Sequence, residues 1–139
     1  MQNNLHDRAR KYVLNLLGYN GTKPLFVISK DACSEVSRLL AVWYHQKLLN
    51  SEIFVAKGKL EKTFHDLLII KFQDKFYIVD PTVWQFFKNK KSILIAEGDS
   101  MSQVLKILAE VYGGKWKISE QVISYSKAEI KKLKSILLA

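Results

Sequence analysis

One cysteine, two prolines and six glycines are spread over 139 residues, and each scarcity closes off a class of protein. A single thiol cannot form an internal disulfide, so folding does not depend on an oxidising compartment. So little proline and glycine leaves scant room for a disordered linker. No apolar run nears the roughly 18 residues that mark a membrane span. The segment Met1-Gln2-Asn3-Asn4-Leu5-His6-Asp7 lacks the basic-then-apolar order of a secretory leader. Gly113-Gly114 follows no buried strand and precedes no Lys-Ser or Lys-Thr pair, so it is not a phosphate loop. The three histidines and one cysteine do not fall at metal-ligand intervals, and neither a metal nor another cofactor is expected.

What is present is an ordinary supply of core, with 48% of residues apolar and 25% charged. A chain of this length buries roughly 70% of its unfolded surface, and residues 1–139 are expected to form one domain. The formal net charge of +9 favours acidic partners. Lysines cluster at Lys88, Lys90 and Lys91 and at Lys127, Lys131, Lys132 and Lys134, but no arginine-rich stripe interleaves with exposed aromatics. Nucleic acid is therefore not the expected partner. An acidic protein is.

Leu5, Ala9, Tyr12, Val13, Leu16 and Leu17 keep the helical period, and Gly18 with Asn20-Gly21 stops it. Leu25-Phe26-Val27-Ile28 reads as an extended run or a buried loop. A second helix is expected from Ala32 to Leu49 with Asp31 as its N-cap. Strands come next at Glu52–Ala56, Phe64–Phe72 and Lys75–Val79, the last two joined at Gln73-Asp74. Apolar residues on both faces of Phe64–Phe72 call for a central place in a sheet covered on both sides. Ser92–Ile95 reads as another strand, Met101–Tyr112 as a helix ended by Gly113-Gly114, and Lys115–Ile123 as an edge strand. Ser126 and Glu129 form a capping-box pattern at the start of the last helix. The expected class is α+β, an antiparallel central sheet flanked by helices.

Three residues in this frame carry chemistry. Cys33 opens the second helix, His65 lies within an apolar strand, and Asp80 ends the next strand. A thiol attacks as the thiolate, which the unpaired N–H groups and dipole of a helix N-terminus favour. A histidine takes and returns the proton, and a carboxylate holds the imidazole in one tautomer. The backbone N–H of Cys33 is a natural oxyanion donor. If Gln73-Asp74 is a two-residue turn, Phe72 pairs with Lys75, and His65 and Asp80 become diagonal neighbours on one face. Asp66 then points to the other face and cannot orient His65. Taken singly, such a cysteine is most often core, such a histidine a hydrogen-bonded strand residue, and Asp-Pro a turn. Their conjunction favours a catalytic triad.

The runs Cys33-Ser34-Glu35-Val36-Ser37-Arg38-Leu39-Leu40-Ala41, His65-Asp66-Leu67-Leu68-Ile69 and Ile78-Val79-Asp80-Pro81-Thr82 resemble the papain-like and transglutaminase-like superfamily over residues 30–85. The resemblance implies Cys33 as nucleophile, His65 as base and Asp80 as orienting acid. Size and charge look most like the small papain-fold toxin and effector domains of bacteria, several of which deamidate glutamine in a target protein. Asp66-Leu67 stands where an aromatic usually follows the histidine, and Asp31-Ala32 where a glycine usually precedes the cysteine. The position six before Cys33, a glutamine in papain-type enzymes, is Val27. The expected activity is cysteine-dependent acyl transfer from an amide through a thioester, by deamidation, proteolysis or transamidation. The alternative is a catalytically silent binding domain of the same fold that holds an acidic partner. The expected location is cytoplasmic, or inside a target cell that an effector enters.

Overall fold

Apolar side chains repeating every three or four residues make an isolated helix unstable until that stripe is covered, and the N-terminal stripe finds its cover in a second helix. The computed structural model describes residues 3–138; Met1 and Gln2, the start of the segment that lacks a leader pattern, and Ala139 lie outside them. Helix α1 (Asn3–Leu16) packs on α3 (Cys33–Lys47), and between them lies α2, a single turn over Leu25–Ile28. This run is neither extended nor buried: Pro24 fixes the φ that starts a helical turn, and none of the four residues is buried.

The strands β1 (Glu52–Lys59), β2 (Phe64–Phe72), β3 (Lys75–Val79), β4 (Leu94–Gly98) and β5 (Lys115–Val122) form an antiparallel sheet in the order β4-β3-β2-β1-β5. Strand β1 runs three residues beyond its expected end, because both β2 and β5 pair with it as far as Lys59. The strand expected at Ser92–Ile95 starts two residues later and ends at Gly98, where it pairs with Phe76. Gln73 and Asp74 both take positive φ, 51° and 63°, the two-residue turn whose twist suits a hairpin. Phe72 therefore pairs with Lys75 and Leu68 with Val79.

Central β2 is covered on both faces. Leu68 and Ile70 join Val36, Leu40 and Tyr44 of α3 and Ala9 and Val13 of α1 in one core. Leu67 and Ile69 join Ile78 and the side chains of Val104 and Leu108 from α4 (Met101–Tyr112) in the other. Each of the fully buried Val, Leu and Ile side chains contributes about 1.5–3 kcal/mol. The last helix, α5 (Lys127–Leu138), lies against α3. Its capping box forms: Glu129 N donates to Ser126 Oγ at 3.1 Å, and Ser126 N donates to Glu129 Oε1 at 3.0 Å.

This layering leaves one place where three ends meet. Strand β2 begins and β3 stops at the same edge, the N-terminus of α3 approaches it from one face, and the C-terminus of α4 approaches from the other.

Candidate active site

Cys33 is the first residue of α3, partly exposed and unpaired. The N-cap is Ala32, not Asp31, and no side chain caps this helix end. The reason is backbone geometry: Asp31 sits at φ 60°, a left-handed conformation that aspartate tolerates better than most residues. Asp31 thus supplies a sharp entry into the helix. The first-turn N–H groups beside the sulfur stay free of a competing carboxylate cap.

His65, the second residue of β2, is 1% exposed. Its Nε2–H donates to Asp80 Oδ2 at 2.8 Å. Its Nδ1 is buried and has no hydrogen-bond partner among the described residues. Burial pushes the pKa of His65 down. The charge and hydrogen bond of Asp80 and the neighbouring Cys33 sulfur outweigh that effect and raise it to about 9. The sulfur is thus near enough to act on the ring, though it does not meet Nδ1 in hydrogen-bond geometry. Such contacts commonly tighten only when substrate binds.

Asp80 directly succeeds β3 and is fully buried. A buried carboxylate must be answered by donors, and Asp80 has three. Besides His65, Tyr112 Oη donates to Oδ2 at 2.6 Å and the Thr82 backbone N–H donates to Oδ1 at 3.0 Å. Burial first, and then the Asp80 charge, raise the Tyr112 pKa, so its phenol stays a donor. Asp66, as expected, faces the other way and pairs with Arg38 at 3.2 Å.

Aromatic rings wall the imidazole. Phe86 meets it edge-on at 4.6 Å between centroids, Tyr112 lies at 5.6 Å, and Trp116 stands perpendicular at 6.2 Å. Gly58 makes room for Trp116, because a Cβ there would come within 2.5 Å of the indole. Trp84 is fully buried, and its Nε1–H donates to the Lys90 carbonyl at 2.9 Å, which fixes the segment that presents Phe86. In front of Cys33 opens a cleft of about 330 Å³, lined by Phe26, Lys30, Phe64, Gln85 and Phe86 among others.

The structure therefore brings Asp80 onto His65 and sets Cys33 beside them. Tyr112, Trp116 and Phe86 were not singled out from sequence. Tyr112 marks only a helix end there, and no local pattern points it at Asp80, 32 residues away. Val27 is 46% exposed on α2 and offers no side-chain donor. Among the described residues no cluster of three or more His, Cys, Asp or Glu could hold a metal ion. None of their helices is long and apolar enough to cross a membrane. Compared with protein-family models, with curated protein sequences and with solved structures, the chain matches none.

Proposed function

We propose that this protein is a cysteine-dependent acyl-transfer enzyme with Cys33 as nucleophile, His65 as acid and base, and Asp80 as the group that orients His65. One observation carries the reading: His65 is held through Nε2 by a buried carboxylate, while its buried Nδ1 is unspent and the Cys33 sulfur adjoins the ring. Most buried side-chain nitrogens have a hydrogen-bond partner, so one left over beside a thiol supports a chemical use for it. The order of elements, a cysteine-opened helix and then two antiparallel strands bearing His65 and Asp80, supports a papain-like or transglutaminase-like fold.

The chemistry is set by these positions. With its pKa near 9, His65 is cationic at neutral pH and serves as counter-ion to the attacking thiolate. Sulfur attacks an amide carbonyl; the C–S bond forms as the carbonyl π pair moves to oxygen, facing the Cys33 N–H. Collapse breaks the C–N bond, and Nδ1–H gives its proton to the leaving nitrogen. Water then attacks the thioester while Nδ1 takes a proton from it. The C–S bond breaks, releasing a carboxylic acid and restoring the ion pair. An amine in place of water gives transamidation. The aromatic walls strengthen each charge interaction by holding bulk water off the ring.

The acyl donor is a glutamine side chain or a peptide bond of an acidic protein. Lys30 and Asp31 line the cleft and Lys88 stacks over Phe26 on the same rim at 4.3 Å, so the mouth is aromatic with a net positive charge. Such a field draws in acidic partners.

Alkylation by iodoacetamide at pH 6 tests the mechanism. An ordinary thiol is well under about 1% ionised there and reacts slowly. Rapid stoichiometric labelling of Cys33, lost in His65→Ala, is the expected result. Labelling at the rate of free cysteine would sink the enzyme reading and leave a silent binding domain of the same architecture.

A further inference from the structure

We propose that Tyr112 is a positioning residue which, by sharing Asp80 Oδ2 with His65, limits how tightly that carboxylate holds the imidazole; this rests on the acyl-transfer reading above. His65 Nε2–H and Tyr112 Oη–H donate to the same oxygen, at 2.8 and 2.6 Å. The phenol's bond is the shorter, as an O–H donor to a charged oxygen makes it. Two donors on one oxygen draw on the same negative charge, so the ring feels a weaker pull than it would alone.

The hydroxyl is not needed to satisfy Asp80. His65 already answers Oδ2, and the Thr82 N–H answers Oδ1. Yet the chain commits an unusual backbone to delivering it. Tyr112 ends α4, and Gly113 and Gly114 follow at φ 76° and 74°, where a side chain is strained. A Cβ on Gly114 would strike the Lys59 carbonyl. Trp116 Nε1–H donates to the Gly113 carbonyl at 2.8 Å and fastens the turn.

The ring must let its proton go once in every cycle, to the leaving nitrogen. An imidazolium held too hard is a poor acid for that step. The titratable groups that face the ring are Asp80 at the end of β3, Cys33 at the start of α3 and Tyr112 at the end of α4. Phe86 and Trp116 bring no charge, and β1 sets Gly58 opposite His65.

Tyr112→Phe keeps the ring and removes the shared hydrogen bond. Nitrogen NMR of the His65 ring should then show its titration moved upward by about one pH unit. Replacing Tyr112 with a ring-fluorinated tyrosine, a stronger donor of the same shape, should move it downward. The second readout is p-nitrophenyl acetate. The Cys33 sulfur takes the acetyl group and p-nitrophenolate leaves; water then attacks the thioester, His65 Nδ1 takes its proton, and the C–S bond breaks to give acetate. Loss of acetyl should slow by up to about 10-fold at neutral pH in Tyr112→Phe, because less of the ring is neutral. Alkylation by iodoacetamide at pH 6 should stay within a few-fold, since the ring is cationic there in both proteins.

A His65 titration unmoved in both variants, or moved the same way by both, would overturn this role and leave Tyr112 a wall of the site. Rapid alkylation of the unaltered protein would in that case keep the Cys33–His65 mechanism standing. Opposite shifts in a protein whose thiol alkylates no faster than free cysteine would establish the shared carboxylate and bring down the acyl-transfer reading instead.

Discussion

His65 and Asp66 are neighbours on β2, both nearly inaccessible, yet they belong to two different charged networks on opposite faces of the sheet. Asp66 faces α3, where Arg38 bridges it to Glu120 of β5: Arg38 NH1 lies 3.2 Å from Asp66 and Nε lies 3.0 Å from Glu120. Arg38 also donates to the carbonyl and hydroxyl of Ser34, and Tyr125 closes the set on Glu120. Asp66 Oδ1 lacks a hydrogen bond, but the Lys57 ammonium answers it at 3.6 Å. This network is spent on itself. It ties the first turn of α3 to β2 and β5.

The His65 network is built with the same economy except at one atom. Asp80 is saturated by His65, Tyr112 and Thr82, while Nδ1 of His65 is left over beside Cys33. Buried charge pairing alone therefore does not mark a reactive site, since Arg38 and Asp66 have it too. What separates the two is an unspent valence next to a nucleophile on an open cleft.

The largest effects should break the two networks in different ways. Cys33→Ala should abolish covalent labelling, and His65→Ala should slow it by about 10²–10⁴-fold per folded molecule. Arg38→Met should leave the labelling rate of folded protein within a few-fold. It should cost about 1–3 kcal/mol in urea unfolding, because it leaves the buried Asp66 with the Lys57 ammonium alone. Equal loss of reactivity in Arg38→Met and His65→Ala would erase the distinction between the networks. Asp80→Asn should fall between, keeping a contact to the imidazole but favouring the wrong tautomer.

A pH series sharpens the contrast. The folded pKa of His65 is raised to about 9 from an ordinary 6.5, so the native state holds the proton more tightly than the unfolded chain. The associated stability is present in full below pH 6.5 and is lost as pH climbs through 9, by at most about 3 kcal/mol. Burial alone would lower the Arg38 pKa, but Asp66 and Glu120 raise it, so its guanidinium stays charged throughout the range. Urea unfolding at pH 6 and pH 9 should show the loss in the unaltered protein and a flatter profile in Asp80→Asn. Parallel profiles would mean that His65 is not held as a cation.

The smallest expected effect is at the rim. Charge reversal at Lys88, Lys90 and Lys91 should slow acylation by an acidic glutamine-containing peptide several-fold at low salt. It should do so less at high salt and should not change iodoacetamide labelling. A rate independent of both salt and these lysines would end the case for an acidic target.

Much of this architecture is a local matter, and so the sequence alone determined it. Helix period, the Ser126–Glu129 capping box and the Gln73-Asp74 turn depend on residues a few places apart. Because strand pairing has a period of two, that one turn also decided that His65 and Asp80 share a face and that Asp66 does not. The start of α3 escaped, since whether Asp31 caps or bends depends on its φ, and a sequence does not state φ. The short run Leu25–Ile28 escaped as well, being too brief for periodicity to separate a turn of helix from an extended segment. Only the tertiary structure brought Tyr112 onto Asp80, Trp116 and Phe86 around the imidazole, and Gln85 into the cleft with Cys33. Those contacts depend on β5 joining the sheet beside β1, and on α4 covering the face of β2 that α3 does not. Strand order and helix placement are settled by burying apolar surface across the whole chain, and no short stretch of residues contains that information.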